Sequence, residues 1–293
     1  MPASRVAAAF APWVALFVTS TSAGAMSDET ADRAALAAVS TADHASAQVV
    51  DHRDLTAAFG TRSEWTLVVV ANALDDSRVT QSDDVYDRPI SICLVRGTIP
   101  DCSQEKFRAW YRSRDPAYAN QKHLFFEYFK SRVVHTGDGR ALLNLELCTQ
   151  HAYNGDCGVS TFLLAYDRPN DRFRVVLGSV VGRNNNQETR FIDHGPLRGA
   201  VVVAEPTVRA PFVYSIEVHR PAADGTYRLA LRYRGRTGYE DGNPLPVIDS
   251  EMPTILSHFE VWKPGDPPPM PPALPEGCSR VQVHRGVEWC APR

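Results

Sequence analysis

Residues 141–181 have the sequence ALLNLELCTQHAYNGDCGVSTFLLAYDRPNDRFRVVLGSVV, and this stretch decides the fold class. It contains three apolar runs, ALLNLEL, STFLLAY and FRVVLGSVV. The breaks between the runs hold Asn154-Gly155-Asp156 and Arg168-Pro169-Asn170-Asp171, which are typical turn residues. Short apolar runs with turn residues between them predict successive β-strands joined by tight connections.

The same pattern extends in both directions along the chain. Further apolar or alternating runs cover residues 65–70, 90–95, 199–205, 212–219 and 227–234. Strands at this regular spacing predict an all-β fold of antiparallel sheets with a minor α content. An irregular β-propeller-like arrangement and a β-sandwich both fit the pattern.

Short helices are predicted in an insertion near residues 103–132. Phe107, Trp110 and Tyr111 are spaced as one face of a helix, and Pro116 ends it. Residues 123–134 fit a helix or a strand.

One turn carries a family resemblance. Thr136-Gly137-Asp138-Gly139-Arg140 precedes an apolar strand and resembles the Asp-Gly-rich turn that opens blades in FG-GAP-type propellers. The resemblance implies a propeller blade. The family's turn carries more acidic calcium ligands, whereas only Asp138 is present here.

The first 25 residues predict a cleavable signal peptide. Arg5 precedes an apolar run that is short for a membrane span, and Ala23-Gly24-Ala25 forms a small-residue cleavage site. We therefore expect a periplasmic or secreted protein with no integral membrane segment after cleavage. The net charge of the 293-residue chain is -3, which argues against a nucleic-acid partner.

The six cysteines form three close pairs in the sequence. An even number behind a signal peptide predicts disulfides rather than redox or zinc chemistry, because no Cys-x-x-Cys pair occurs. Pairing between nearest neighbours is the simplest of the 15 connectivities. The cysteines are Cys93 and Cys102, Cys148 and Cys157, and Cys278 and Cys290.

The sequence also predicts how the chain is divided. Residues 26–60, rich in Ala, Asp, Ser and Thr, are expected to be weakly ordered, and residues 61–262 to form a disulfide-stapled β domain. Residues 263–277 contain seven prolines and predict an extended linker. Residues 278–293 are expected to form a small disulfide-closed hairpin that turns near Arg285-Gly286.

Arginines on a predicted strand are the first candidate binding residues. On residues 227–234, a period of two places Arg232 and Arg234 on one face and Leu231 and Tyr233 on the other. An arginine row can bind phosphate or carboxylate groups. The alternative is an outer sheet face whose arginines pair with acids on a neighbouring strand.

The second candidate is the polar segment that follows. Residues 238–251 are predicted to form a long ordered loop with several acidic side chains. Two carboxylates could act as acid and base on a glycan or ester, or could hold Ca²⁺, although the spacing is not that of an EF-hand. The candidate residues of this segment are Tyr239, Glu240, Asp241, Asp249 and Glu251.

No catalytic motif supports an enzyme over a binding protein. The sequence has no nucleophile elbow, no His-Glu-x-x-His metal motif and no clustered histidines, and Asp193-His194 is read as a turn. We therefore expect a non-catalytic binding module of the bacterial envelope, without a cofactor or a metal, whose partner is an envelope protein or a glycan. A secreted hydrolase that uses carboxylates of residues 238–251 is the alternative.

Overall fold

A computed structural model of the protein describes residues 28–40, 47–71, 89–114, 116–121, 123–151, 157–182 and 187–292. The predicted signal peptide, residues 1–25, lies outside the described residues. Within the described ranges, the strands form three four-stranded sheets and one hairpin. This result confirms the prediction of an all-β fold with a minor α content.

The first sheet is an antiparallel meander near the start of the described chain. Its strands are β1 (Gln48–Asp54), β2 (Trp65–Ala71), β3 (Ile90–Arg96) and β4 (Ile99–Asp101), which pair in chain order. Every residue of β2 is buried. The sheet is covered on both faces, as a continuous apolar strand requires.

The second sheet repeats this topology. It consists of β5 (Glu127–His135), β6 (Ala141–His151), β7 (Cys157–Asp167) and β8 (Arg172–Val181). The ambiguous residues 123–134 are therefore mostly strand. The turn at residues 136–140, which resembles a propeller turn, connects β5 to β6, and both Thr136 and Arg140 donate hydrogen bonds to the Asp138 carboxylate.

The third sheet and the C-terminal hairpin complete the strands. The sheet contains β9 (Glu188–Phe191), β10 (Val201–Pro206), β11 (Val213–Pro221) and β12 (Tyr227–Gly238), again in meander order. The hairpin pairs two strands through a turn at Arg285 and Gly286, both of which have positive φ. Its strands are β13 (Cys278–His284) and β14 (Val287–Pro292).

Five helices occur among the described residues: α1 (Asp28–Val39), α2 (Thr56–Phe59), α3 (Glu105–Arg112), α4 (Pro116–Ala119) and α5 (Val247–His258). Helices α3 and α4 form the predicted insertion. Phe107 and Tyr111 of α3 are buried, and Trp110 packs so closely on β8 that a Cβ at Gly178 would lie 2.5 Å from the indole ring. None of the described helices has the length and apolar character needed to cross a membrane.

The sheets stack face to face in a sandwich-like arrangement. One apolar core joins the first and second sheets and includes Leu67 and Leu145. Another joins the second and third sheets through Leu163 and Val203. The opposite face of the third sheet packs on α5 and forms a further apolar core, which includes Ile216. The chain therefore forms the layers α1, three sheets and α5, with the hairpin against α5.

The segment 26–60, expected to be weakly ordered, contains α1, β1 and α2. Helix α1 buries Ala31 and Ala35 against the first sheet, and β1 pairs with β2 as an edge strand. The residues of β1 alternate between exposed and half-buried, and none of them is buried.

The six cysteines form the disulfides Cys93–Cys102, Cys148–Cys157 and Cys278–Cys290, as the simplest pairing predicts. Three disulfides indicate a protein that folds outside the reducing cytoplasm.

Candidate functional site

A cavity of about 440 Å³ lies where four parts of the chain meet. Its walls come from β5, from β9 with the connection after it, from α5, and from the proline-rich segment and β14. Most of the lining is apolar, with Phe191, Met252, Leu256 and Met270 among the wall residues. An apolar cavity with a few convergent polar groups is the usual form of a small-molecule site. We call it the Glu288 cavity after the residue described next.

Glu288 is the most unusual residue of this cavity. It belongs to β14, it is completely buried, and neither side-chain oxygen has a hydrogen-bond partner among the described residues. A buried carboxyl group without a partner costs stability, so such groups are rare unless they have a function. Seven buried side-chain atoms have no hydrogen-bond partner among the described residues. Besides the two Glu288 oxygens, one of them, Arg132 Nε, belongs to a residue that lines the same cavity.

The hairpin that carries Glu288 is fixed to α5 and to the loop before it. Asn243 Nδ2 donates to the Glu288 carbonyl oxygen at 2.8 Å, and Asn243 Oδ1 accepts from Cys290 N at 3.3 Å. Thr254 Oγ1 of α5 donates to the Gly286 carbonyl oxygen at 2.6 Å. The hairpin is thus a docked element of the fold, and the position of Glu288 is fixed.

The proline-rich segment contributes to the same wall. Trp262 Nε1 donates to the Pro267 carbonyl oxygen at 2.9 Å, and residues 269–272 line the Glu288 cavity. Residues 263–277, predicted to be a linker, therefore also enclose the candidate site.

Three charged side chains form a network beside the cavity, and two of them, Arg190 and Asp249, line it. Arg190 of β9 pairs with Asp249 of α5 through both carboxylate oxygens, and it also donates to Glu188 at 3.0 Å. Glu188 in turn accepts a hydrogen bond from Ile248 N at 3.0 Å. The network ties the first turn of α5 to the third sheet and places the Asp249 carboxylate beside the cavity.

Burial changes the protonation of these acids. It raises the pKa of Glu288 to about 8, and the negative charge of Asp249 contributes to the shift. Burial also raises the pKa of Glu188, because desolvation outweighs the attraction of Arg190. At neutral pH, Glu288 is therefore mainly a neutral carboxylic acid that can donate one hydrogen bond and accept others.

Glu251, a predicted site residue, has a structural role. It is completely buried in α5, and Oε1 accepts hydrogen bonds from Arg236 N, Thr237 N and Thr237 Oγ1 at 2.7 to 2.8 Å. Oε2 accepts from the Tyr233 hydroxyl at 3.0 Å. The carboxylate joins α5 to β12 and has no contact with the Glu288 cavity.

The other residues of the predicted loop do not gather at one site. Asp241 accepts hydrogen bonds from Gly238 N and Asn243 N and shapes the turn before α5. Glu240 is exposed, and the Tyr239 hydroxyl donates to the Thr207 carbonyl oxygen at 3.0 Å. Only Asp249 of this group lines the Glu288 cavity.

The prediction of one loop over residues 238–251 is wrong at its C-terminal end, because α5 begins at Val247. Asp249, Ser250 and Glu251 resemble surface residues in the sequence, yet all three are buried. Hydrogen bonds from β9, β12 and Asn243 to these three side chains offset the cost of burying them.

The predicted arginine face is occupied by contacts within the chain. Arg232 of β12 pairs with Glu217 of the neighbouring strand β11 at 2.7 Å, as the alternative interpretation expected. Arg234 donates to the carbonyl oxygens of Arg209 and Pro211. Across the described ranges, no group of three or more His, Cys, Asp or Glu side chains is arranged to hold a metal ion.

Sequence reasoning missed three lining residues of the cavity and one residue that pairs with them: Arg132, Arg190 and Glu288 line it, and Glu188 pairs with Arg190. They lie up to 156 positions apart, and no motif links them. The exposed pair Asp193 and His194, which share a hydrogen bond, lines the same cavity and was noted in the sequence only as a turn.

Comparison with protein-family models, with curated proteins and with solved structures finds no match for this chain.

Proposed function

We propose that this chain is a binding protein of the bacterial envelope, exported through residues 1–25, that holds a small and largely apolar molecule in the Glu288 cavity. The order of charged, apolar and small residues in the first 25 positions supports export, as do the three disulfides. The observation that carries the proposal is the pair of unpartnered oxygens of the buried Glu288 beside this cavity.

The chemistry of the lining defines the ligand class. Phe191, Met252 and Leu256 suit an apolar body, and the neutral Glu288 suits a group that accepts or donates a hydrogen bond. A bound polar group would supply the partner that Glu288 lacks. Binding of an envelope protein or a glycan by the surface around Arg232 and Arg234 is a separate prediction.

Binding of a neutral fluorescent probe tests this proposal. N-phenyl-1-naphthylamine has an apolar body and one N–H group, and we expect its fluorescence to rise on binding at pH 7. Glu288→Leu removes the polar partner while keeping the bulk, and it should weaken binding by about tenfold, because an unmatched polar group costs about 1–3 kcal/mol. The matched control Glu240→Leu changes an exposed residue of the loop between β12 and α5, and this variant should bind the probe as the wild type does.

If the fluorescence of the probe does not rise with the wild-type protein, the proposal is wrong. Equal affinity in the wild type and in Glu288→Leu would also contradict it, because Glu288 would then contribute nothing to binding.

A second candidate function is hydrolysis of a glycan or an ester. Asp249 and Glu288 line one cavity in different environments, since Asp249 pairs with Arg190 and Glu288 has a raised pKa. Such a difference can separate a general base from a general acid. This pair replaces the predicted combination of loop carboxylates, because Asp241 and Glu251 are engaged elsewhere.

If the hydrolase candidate is right, Glu288→Gln and Asp249→Asn should each lower the hydrolysis of p-nitrophenyl acetate or p-nitrophenyl glycosides by about 100-fold or more. Asp241→Asn removes a carboxylate of the same region and should leave the rate unchanged. Rates in the Glu288→Gln and Asp249→Asn variants that equal the wild-type rate would contradict this candidate.

A further inference from the structure

A second cavity, of about 490 Å³, lies at the far end of the second sheet. Three connections surround it: the turn from β5 to β6, the turn from β7 to β8, and the turn from β11 to β12, together with the end of α2. Its lining contains three arginines, Arg140, Arg168 and Arg174, and no acidic residue. We call it the arginine cleft.

Two of the arginines have guanidinium groups close to the same residue, Gly225. Arg140 Nη1 and Arg174 Nη2 each lie 3.2 Å from the position that a Cβ atom at Gly225 would occupy. Both guanidinium groups are fixed to the same turn, Arg140 through the Ala222 carbonyl oxygen at 3.4 Å and Arg174 through the Asp224 carbonyl oxygen at 3.3 Å. Gly225 also has a φ of +74°. A residue with a side chain is therefore disfavoured there, both by this backbone conformation and by the two nearby guanidinium groups.

These contacts use only part of the donor capacity. A guanidinium group has five N–H donors. Arg140 additionally pairs through Nε with Asp138 at 2.8 Å, and Asp138 is not part of the cleft lining. Two positive groups at close range repel each other unless an anion lies between them. Both guanidinium groups therefore have N–H donors left for the cleft, and Arg174 has no ion pair among the described residues.

Aromatic side chains form the remaining wall. Tyr166 donates its hydroxyl to Asp171 at 2.6 Å, and Tyr227 donates to the Gly199 carbonyl oxygen at 2.7 Å. Their hydroxyl groups are thus engaged with the protein, while both residues and Phe59 line the cleft. Aromatic residues beside a guanidinium pair suit a molecule that carries a ring next to an anionic group.

We propose that the arginine cleft binds the phosphate group of a small phosphorylated molecule, with Arg140 and Arg174 on the phosphate and the attached ring against Tyr166 and Tyr227. A phosphate monoester carries nearly two negative charges and matches two guanidinium groups, whereas a carboxylate carries one. This site is separate from the Glu288 cavity, which shares none of its lining residues.

Calorimetric titration of the full oxidised protein with phenyl phosphate tests the proposal. At low ionic strength, we expect phenyl phosphate to bind more tightly than inorganic phosphate, and benzoate to bind at least about tenfold more weakly than phenyl phosphate. Binding should weaken as salt is added, because the Arg140 side chain is 40% exposed to solvent. Inorganic phosphate measures the anion alone, and benzoate measures the ring with a carboxylate.

Variants assign the binding to the arginine pair. Arg140→Gln and Arg174→Gln should each weaken phenyl phosphate binding by about tenfold. Arg174→Lys should recover part of the loss, because lysine restores the positive charge but not the two parallel N–H donors of a guanidinium group. Arg209→Gln removes the same charge from an exposed residue in the connection between β10 and β11 and serves as the matched control. Glu288→Leu should bind phenyl phosphate normally.

The proposal is overturned if the wild-type protein does not bind phenyl phosphate at millimolar concentration. Equal affinity for benzoate and phenyl phosphate would also overturn it, as would unchanged binding in both glutamine variants. Thermal unfolding of each variant separates a lost site from a lost fold.

Discussion

Glu251→Ala is expected to lower the free energy of unfolding by about 3–5 kcal/mol, the cost typical of breaking a buried charged network. The variant leaves two backbone N–H groups and two hydroxyl groups without their acceptor inside the protein. Each unpaired buried donor costs about 1–3 kcal/mol. The cavity left by the missing side chain adds to the loss.

Urea unfolding at pH 7, with the disulfides intact, measures this effect. Glu251→Gln keeps one oxygen acceptor and should cost less than Glu251→Ala. Glu240→Ala removes an exposed carboxylate from the preceding loop and should change stability by less than about 0.5 kcal/mol. A loss in Glu251→Ala as small as that of the Glu240 control would show that α5 does not depend on this carboxylate.

Glu288→Gln is expected to stabilise the protein, and to do so more strongly as the pH rises. The pKa of Glu288 is raised from its ordinary value of 4.5 to about 8, so the folded state binds this proton more tightly than the unfolded state. Stability from this group is therefore complete below the ordinary pKa and falls as the pH rises toward 8. The slope is about 1.4 kcal/mol per pH unit, or roughly 4 kcal/mol between pH 5 and pH 8.

The measurement is the difference in unfolding free energy between the wild type and Glu288→Gln at several pH values. It should be small near pH 5, grow with pH and level off above about pH 8. Glu276→Gln, a change at an exposed glutamate of the proline-rich segment, should show no such trend. A constant difference between the wild type and Glu288→Gln at all pH values would contradict a raised pKa.

Local pattern was enough to predict most of the strands. β6, β7 and β8 follow from apolar runs and turn residues, because a buried strand has the same signature wherever it lies in a sheet. The disulfides follow from spacing, since each pair closes a short segment of chain. The packed face of α3 follows from the helical spacing of Phe107, Trp110 and Tyr111.

Features that depend on distant contacts were missed. Helix α5 contains Pro253 in its interior and three polar residues in its first half, so nothing in its sequence predicts a buried helix. Its acids are tolerated only because β9 and β12 supply partners. Glu288 looks like an ordinary hairpin residue, and its burial results from docking of the hairpin on α5.

The residues that line the Glu288 cavity are spread from Arg132 to Glu288. They are therefore synthesised at different times. Arg132, Arg190 and Asp249 leave the ribosome well before Glu288 does. Until residue 288 has been synthesised and the hairpin has docked, the cavity lacks its β14 wall. A nascent or prematurely terminated chain therefore lacks one wall of the cavity, so the ligand binding that we propose would begin only after the hairpin has docked on α5.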